Sequence, residues 1–134
     1  MTVEFVVDGE PIAKGRPRFT MTGRAYTPKR THDYEKRVKE SYSGEMFPED
    51  IPLEVHIDAY FQIPKSASKK RHGEMQRGSI RPMKKPDADN IAKSICDALN
   101  GVVYADDKQV IRLVVDKWYS DRPRAEVRIS EVKW

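Results

Sequence analysis

The sequence predicts an α+β (mixed α/β) protein, a single domain over residues 1–134 in which two main helices cover a mixed β-sheet. Three observations lead there. Leu53, Val55, Ile57, Ala59 and Phe61 alternate with polar residues, the period-two signature of a strand with one buried face. Tyr34, Val38 and Tyr42, and again Ile91, Ile95 and Leu99, recur every four residues, as on the apolar face of a helix. Two further alternating runs, 109–119 and 125–129, close the chain.

Taken in order, Thr2 to Val7 is rich in β-branched and aromatic residues and reads as a strand ending at the Asp8-Gly9 turn. The strip Lys14-Gly15-Arg16-Pro17-Arg18 follows. Its glycine and proline exclude a helix. Glycine permits close backbone approach to a ligand, and arginine suits phosphate oxygens. Met21-Thr22-Gly23 turns a short hairpin between Phe19 and Tyr26. A helix is expected over 32–43, capped by Thr31 and stopped by Gly44. After the 53–61 strand, Pro64 opens a stretch, 65–85, with no apolar periodicity, expected as a mobile loop. The second helix spans 88–99 and stops at Asn100-Gly101. Asp121-Arg122-Pro123 turns the chain between the last two strands, expected to pair as an antiparallel hairpin.

Charge is unevenly placed. Residues 65–85 hold eight cations against Glu74 alone, a local +7 in a chain of net charge +4. That block is either an electrostatic footprint for a polyanion or a solvated loop. No apolar run reaches the 18 residues of a membrane span, and the N-terminus lacks a signal-peptide pattern, so a cytoplasmic location with no membrane partner is expected. The single cysteine, Cys96, excludes an internal disulfide and reads as a small hydrophobe.

Asp87 and Asp89 stand at the entry to the second helix, and Asp106-Asp107 stand before the following strand. An extended entry would point Asp87 and Asp89 the same way. If that strand pairs near the helix start, Asp107 meets them. Such a cluster repels itself unless a cation compensates, and Mg2+ prefers carboxylate oxygens. The metal could then activate water and hold a phosphate. The alternatives are helix capping for Asp87 and Asp89, and a polar turn for Asp106-Asp107. Lys93, one turn after Asp89, is either a cation for the scissile phosphate or half of a surface ion pair. Asp97, a turn further, extends that network or is a solvated position. His32, His56 and His72 show no ligand spacing, and there is no nucleophile elbow, Walker loop or dinucleotide fingerprint.

The joint pattern Asp87-x-Asp89-Asn90-x-x-Lys93, Asp97-Ala98-Leu99-Asn100-Gly101 and Asp106-Asp107-x-Gln109-Val110 resembles the RusA-type Holliday junction resolvases of bacteria and prophages. The likeness is dense over 85–110 and looser through the Lys-Gly-Arg-Pro-Arg strip and the Thr-x-x-Tyr helix start. It implies a homodimeric, Mg2+-dependent (or Mn2+-supported) endonuclease that resolves four-way DNA junctions by paired symmetric nicks in recombination and repair. It also implies metal ligation by Asp87, Asp89 and Asp107, a catalytic role for Lys93 and a secondary one for Asp106. A two-fold junction cut at two related points needs two related sites, hence a homodimer. Lys14, Arg16, Arg18, Lys84 and Lys85 are the expected DNA contacts, from sign and position. The rival readings are a non-catalytic nucleic-acid-binding protein and a nuclease acting on flaps, forks or RNA.

Overall fold

The computed structural model describes residues 1–15 and 18–133, with Arg18 by its backbone alone. Four strands form the main sheet: β1 (Thr2–Asp8), β4 (Leu53–Gln62), β5 (Val110–Ser120) and β6 (Arg124–Glu131), in the spatial order β1-β6-β4-β5. Two-residue strands β2 (Arg18–Phe19) and β3 (Ala25–Tyr26) form the expected small hairpin. The helices are α1 (Lys29–Glu40), α2 (Lys69–Gln76) and α3 (Ala88–Ala98). The sheet is mixed, as expected: β4 runs parallel to β5 and antiparallel to β6.

The alternation in β4 becomes an inner face of Leu53, Val55, Ile57, Ala59 and Phe61, all buried against Tyr34 and Val38 of α1 and Ile91 and Ile95 of α3. Each large side chain so buried contributes roughly 1.5–3 kcal/mol. The outer face of the sheet is polar. There Trp118 Nε1 donates to Asp58 Oδ1 at 2.9 Å and stacks on Tyr60 at 6.4 Å, while the Arg124 guanidinium lies 3.9 Å over the Tyr60 ring.

Three expectations need correction. First, β5 and β6 do not form a hairpin; β6 inserts between β1 and β4, and β5 takes the far edge beside β4. In that place Ala125, Val127 and Ile129 point into the core and are buried. Second, the first helix runs Lys29–Glu40 with Pro28 at its N-cap. Thr31 lies inside it, buried, and accepts the Gly15 N–H at 3.0 Å. Third, the stretch 65–85 carries helix α2. Ser68 Oγ caps it by accepting the Arg71 N–H, and Met75 is its buried anchor. His72 and Gln76 reach Asp121 across the sheet edge, each at 3.1 Å. Beyond it Arg81 lies 3.5 Å over the Trp118 ring and reaches the Lys117 carbonyl and Asp116. A third helix therefore joins the expected two.

Candidate active site

A parallel pair such as β4 and β5 needs a long crossover, and residues 63–109 supply it with α2 and α3. The predicted acidic residues lie on the last part of that crossover. Asp87 occupies the N-cap position of α3 with extended backbone, yet its side chain makes no capping hydrogen bond. Asp89 sits in the first turn. Among the described residues, Asp87, Asp89 and Lys93 enter no salt bridge, so the i,i+4 ion pair does not form, while Asp87 and Asp89 keep the N-cap and first-turn places that the helix dipole favours. Asp89, Lys93 and Asp97, four residues apart, share one face of α3.

That face meets the start of β5. Asp89, Lys93, Asp97 and Asp107 line one cleft of about 480 Å³, with Ala92 and Cys96 beneath and Val110 to Leu113 as the opposite wall. Asp107 opens the short helical turn Asp107–Gln109 and is fixed from both sides. Its N–H donates to Asn100 Oδ1 at 2.8 Å. Asp106 Oδ1 accepts the Lys108 N–H at 2.9 Å, so Asp106 caps the turn. Buried Gln109 donates through Nε2 to the carbonyls of Pro48 and Ile51. Behind α3, Tyr104 donates to the Cys96 carbonyl at 2.8 Å. Asn100 of the sequence pattern thus bonds Asp107 directly, and Gln109 ties the end of the same turn to the loop before β4.

Negative charge is crowded at this end of the cleft. The Asp107 carboxyl is raised above the ordinary aspartate value, first by burial, then by hydrogen bonding to Asp106 and the negative charges of Asp97 and Asp106. Burial also pushes the Cys96 thiol up to about 11, which leaves it protonated and inert at neutral pH. Among the described residues Asp89 and Asp107 meet no protein cation and Asp97 meets only Lys14, a carboxylate donor set that suits a hard divalent ion.

The predicted residues are only partly brought together. Asp89, Lys93 and Asp107 share the cleft. Asp87 opens instead onto a neighbouring groove of about 770 Å³, with Lys85, Asn90, Arg30 and Gly15 in its lining. The oxygens of Asp87, Asp89 and Asp107 do not converge within 4.8 Å; among the described residues only His56, Asp58 and Asp116 offer donor atoms that close. That group, unforeseen because His56 and Asp116 are distant in sequence, lies on the polar outer face of the sheet and could hold a metal. Its present bonding works against it. Arginine can only donate, so the 3.2 Å contact from Arg128 makes His56 Nδ1 the acceptor and leaves the proton on Nε2, facing the carboxylates. Trp118 and Arg81 already serve Asp58 and Asp116.

The expected DNA contacts also divide. Lys85 lines the groove beside Asp87, and Lys84 is exposed, its carbonyl accepting from Lys117 Nζ. Arg16 and the side chain of Arg18 lie outside the described residues. Lys14 is engaged by protein carboxylates. Its Nζ turns inward, 3.0 Å from Glu35 Oε1 and 3.1 Å from Asp97 Oδ2. Burial pulls its pKa down, but the two carboxylates outweigh that and hold the amine above its ordinary value. Gly15 does approach something closely, but it is α1: a Cβ there would meet Thr31 Oγ1 at 2.6 Å.

A cleft of aspartates with a lysine that no carboxylate among the described residues engages fits a phosphodiester-cutting enzyme of the nuclease class. The chain belongs to the endodeoxyribonuclease RusA family, whose model matches residues 8–130, and it is an endodeoxyribonuclease. It is 40% identical to the uncharacterised protein YqaN of Bacillus subtilis strain 168, over 97% of this chain and 96% of that one. It is 25% identical to the crossover junction endodeoxyribonuclease rusA of Lactococcus phage r1t, again over 96% of each chain.

Proposed function

We propose that this protein resolves four-way DNA junctions, as a homodimer that places paired symmetric nicks during recombination and repair. The observation that carries the reading is the cleft in which one face of α3 sets Asp89 and Lys93 opposite Asp107. The phage relative, by its name a crossover junction endodeoxyribonuclease, supports the choice of substrate. Nucleases of this family are metal-dependent, and Mg2+, with Mn2+ as substitute, is the ion that suits an all-carboxylate donor set. Asp89 and Asp107 would hold it, with Asp87 joining from the adjoining groove. When bound, the ion polarises the scissile phosphate and lowers the pKa of attacking water.

The chain's own residues supply the rest. Lys93 stabilises charge that grows on the phosphate oxygens in the transition state. Asn100 and Asp106 hold the Asp107 turn in place before substrate arrives. Lys84 and Lys85, with Arg16 and Arg18, attract the backbone of the strand toward Asp87. Their contribution is salt-dependent through counterion release.

The test is cleavage of a labelled four-way junction beside matching linear duplex, flap and fork substrates, with Mg2+ or with chelator. The expected result is paired nicks on the junction alone, lost on chelation. Asp89→Asn should bind the junction as wild type does yet cut it about a thousand-fold more slowly, since a metal site contributes several kcal/mol to the barrier. Full activity in that variant removes the cleft from the mechanism. Junction binding with no scission under any divalent ion removes catalysis altogether.

A further inference from the structure

The basic strip near the N-terminus looks, by charge, like a DNA contact, but the placement of its first cation says otherwise. We propose that Lys14 is a positioning residue: anchored on Glu35, it holds Asp97 at the metal cleft as an additional carboxylate beside Asp89 and Asp107. The inference deepens the reading of that cleft as the metal site and rests on it.

Four observations combine. Lys14 Nζ lies between Glu35 Oε1 of α1 and Asp97 Oδ2 of α3, at 3.0 and 3.1 Å. Glu35 Oε1 is fully buried and has no aligned hydrogen-bond donor, so the ammonium is the charge that faces it. Without Lys14 this oxygen would lose the charge that faces it, so the pair favours an ammonium placed between the two helices. Gly15 then locks the backbone: its N–H donates to buried Thr31, and any side chain would strike Thr31 and Pro28. Finally, Asp97 continues the stripe of Asp89 and Lys93 and lines the same cleft as Asp107. With one Asp97 oxygen held by Lys14, the residue has a defined orientation at the cleft. The linked elements are the 10–15 segment, α1 and α3, so the cleft depends on a contact some eighty residues away in sequence.

The test separates a positioning role from a phosphate contact. Mn2+ affinity of the DNA-free protein is measured by electron paramagnetic resonance for wild type, Lys14→Met, Lys14→Arg, Asp97→Asn and the double variant Lys14→Met/Asp97→Asn. Junction affinity is measured in chelator over a salt series. Positioning predicts that Lys14→Met weakens Mn2+ binding about 10–100-fold, the usual loss when an orienting partner is removed. It predicts near-full rescue by arginine, no extra loss in the double variant over Asp97→Asn alone, and an unchanged junction affinity and salt slope. A phosphate contact predicts the reverse: unchanged Mn2+ binding, weaker junction binding and a salt slope smaller by about one. That result overturns the proposal. If Lys14→Met does not fold, Asp97→Asn decides, because wild-type Mn2+ affinity in that variant equally overturns it. Absence of Mn2+ binding in the wild type is a distinct failure: it would sink the cleft as metal site, not the role of Lys14 alone.

Discussion

At the scale of single residues, the cleft trades stability for function. Asp107 is held where burial and its acidic neighbours raise its pKa, so ionising it costs free energy in the folded, metal-free protein. The sign follows from linkage. With the folded pKa above the unfolded value, the native state binds the extra proton between the two, so stability falls as pH rises through that window and stays lower above it. Asp107→Asn removes the penalty. Thermal unfolding in chelator should show this variant more stable than wild type at pH 7, with the gap closing as pH drops below the ordinary aspartate value of 3.8. Mg2+ should raise the wild-type melting temperature and leave that of the variant unmoved, because a ligand stabilises only the state that binds it. A variant no more stable than wild type at neutral pH would mean that the Asp97–Asp107 crowding carries no cost. Lys93, which no carboxylate among the described residues engages, makes the complementary case: Lys93→Met should slow cleavage on the order of 100–1,000-fold while junction affinity holds.

At the scale of elements, what could be read from sequence follows the range of the interactions. The β4 alternation and the α3 stripe are local patterns, and both elements stand within a residue or so of their expected bounds. Their motif residues were legible for the same reason. Helix α2 was not. Its residues Lys69 to Gln76 offer one apolar anchor, Met75, and it is held by distant partners: Asp121 for His72 and Gln76, and Trp118 for the segment that follows. Ser68 caps the helix, but a single cap residue without an apolar stripe does not predict one. The insertion of β6 between β1 and β4 was hidden likewise, since adjacent strands default to hairpins and the partners β6 takes instead are distant in sequence. The ion pairs of Lys14 with Glu35 and Asp97 were hidden for a third reason: charge in a sequence does not say which way it points. The anchoring of α2 can be tested at Gly78, which closes the helix at φ +80° against the Trp118 ring. A Cβ there would meet the ring at 2.8 Å, in a backbone region that itself costs an alanine roughly 1 kcal/mol. Gly78→Ala should therefore lower stability by about 2 kcal/mol and quicken amide exchange through Lys69–Gln76. Unchanged exchange there would show that α2 does not depend on the Trp118 contact.

At the scale of the whole molecule, one cleft per chain sets the arithmetic of resolution. A junction is separated only when two opposed strands are cut, and one cleft can serve one strand at a time, so a homodimer acting in a single encounter is the economical arrangement. Mixing wild-type protein with Asp89→Asn turns this into a measurement on a supercoiled plasmid carrying a cruciform. A dimer cutting both strands while bound gives linear product, whereas a single nick relaxes the cruciform and stops at the open circle. In an equal mixture that exchanges freely, about a quarter of dimers carry two working clefts and about half carry one. Linear product should then fall to roughly a quarter while open circles rise sharply. If the chain acted as a monomer, the inert variant would only dilute or compete, and the ratio of linear to open-circle product would not depend on the proportion mixed. A constant ratio across the mixing series, with subunit exchange verified, would overturn the dimeric mechanism and leave the cleft chemistry intact.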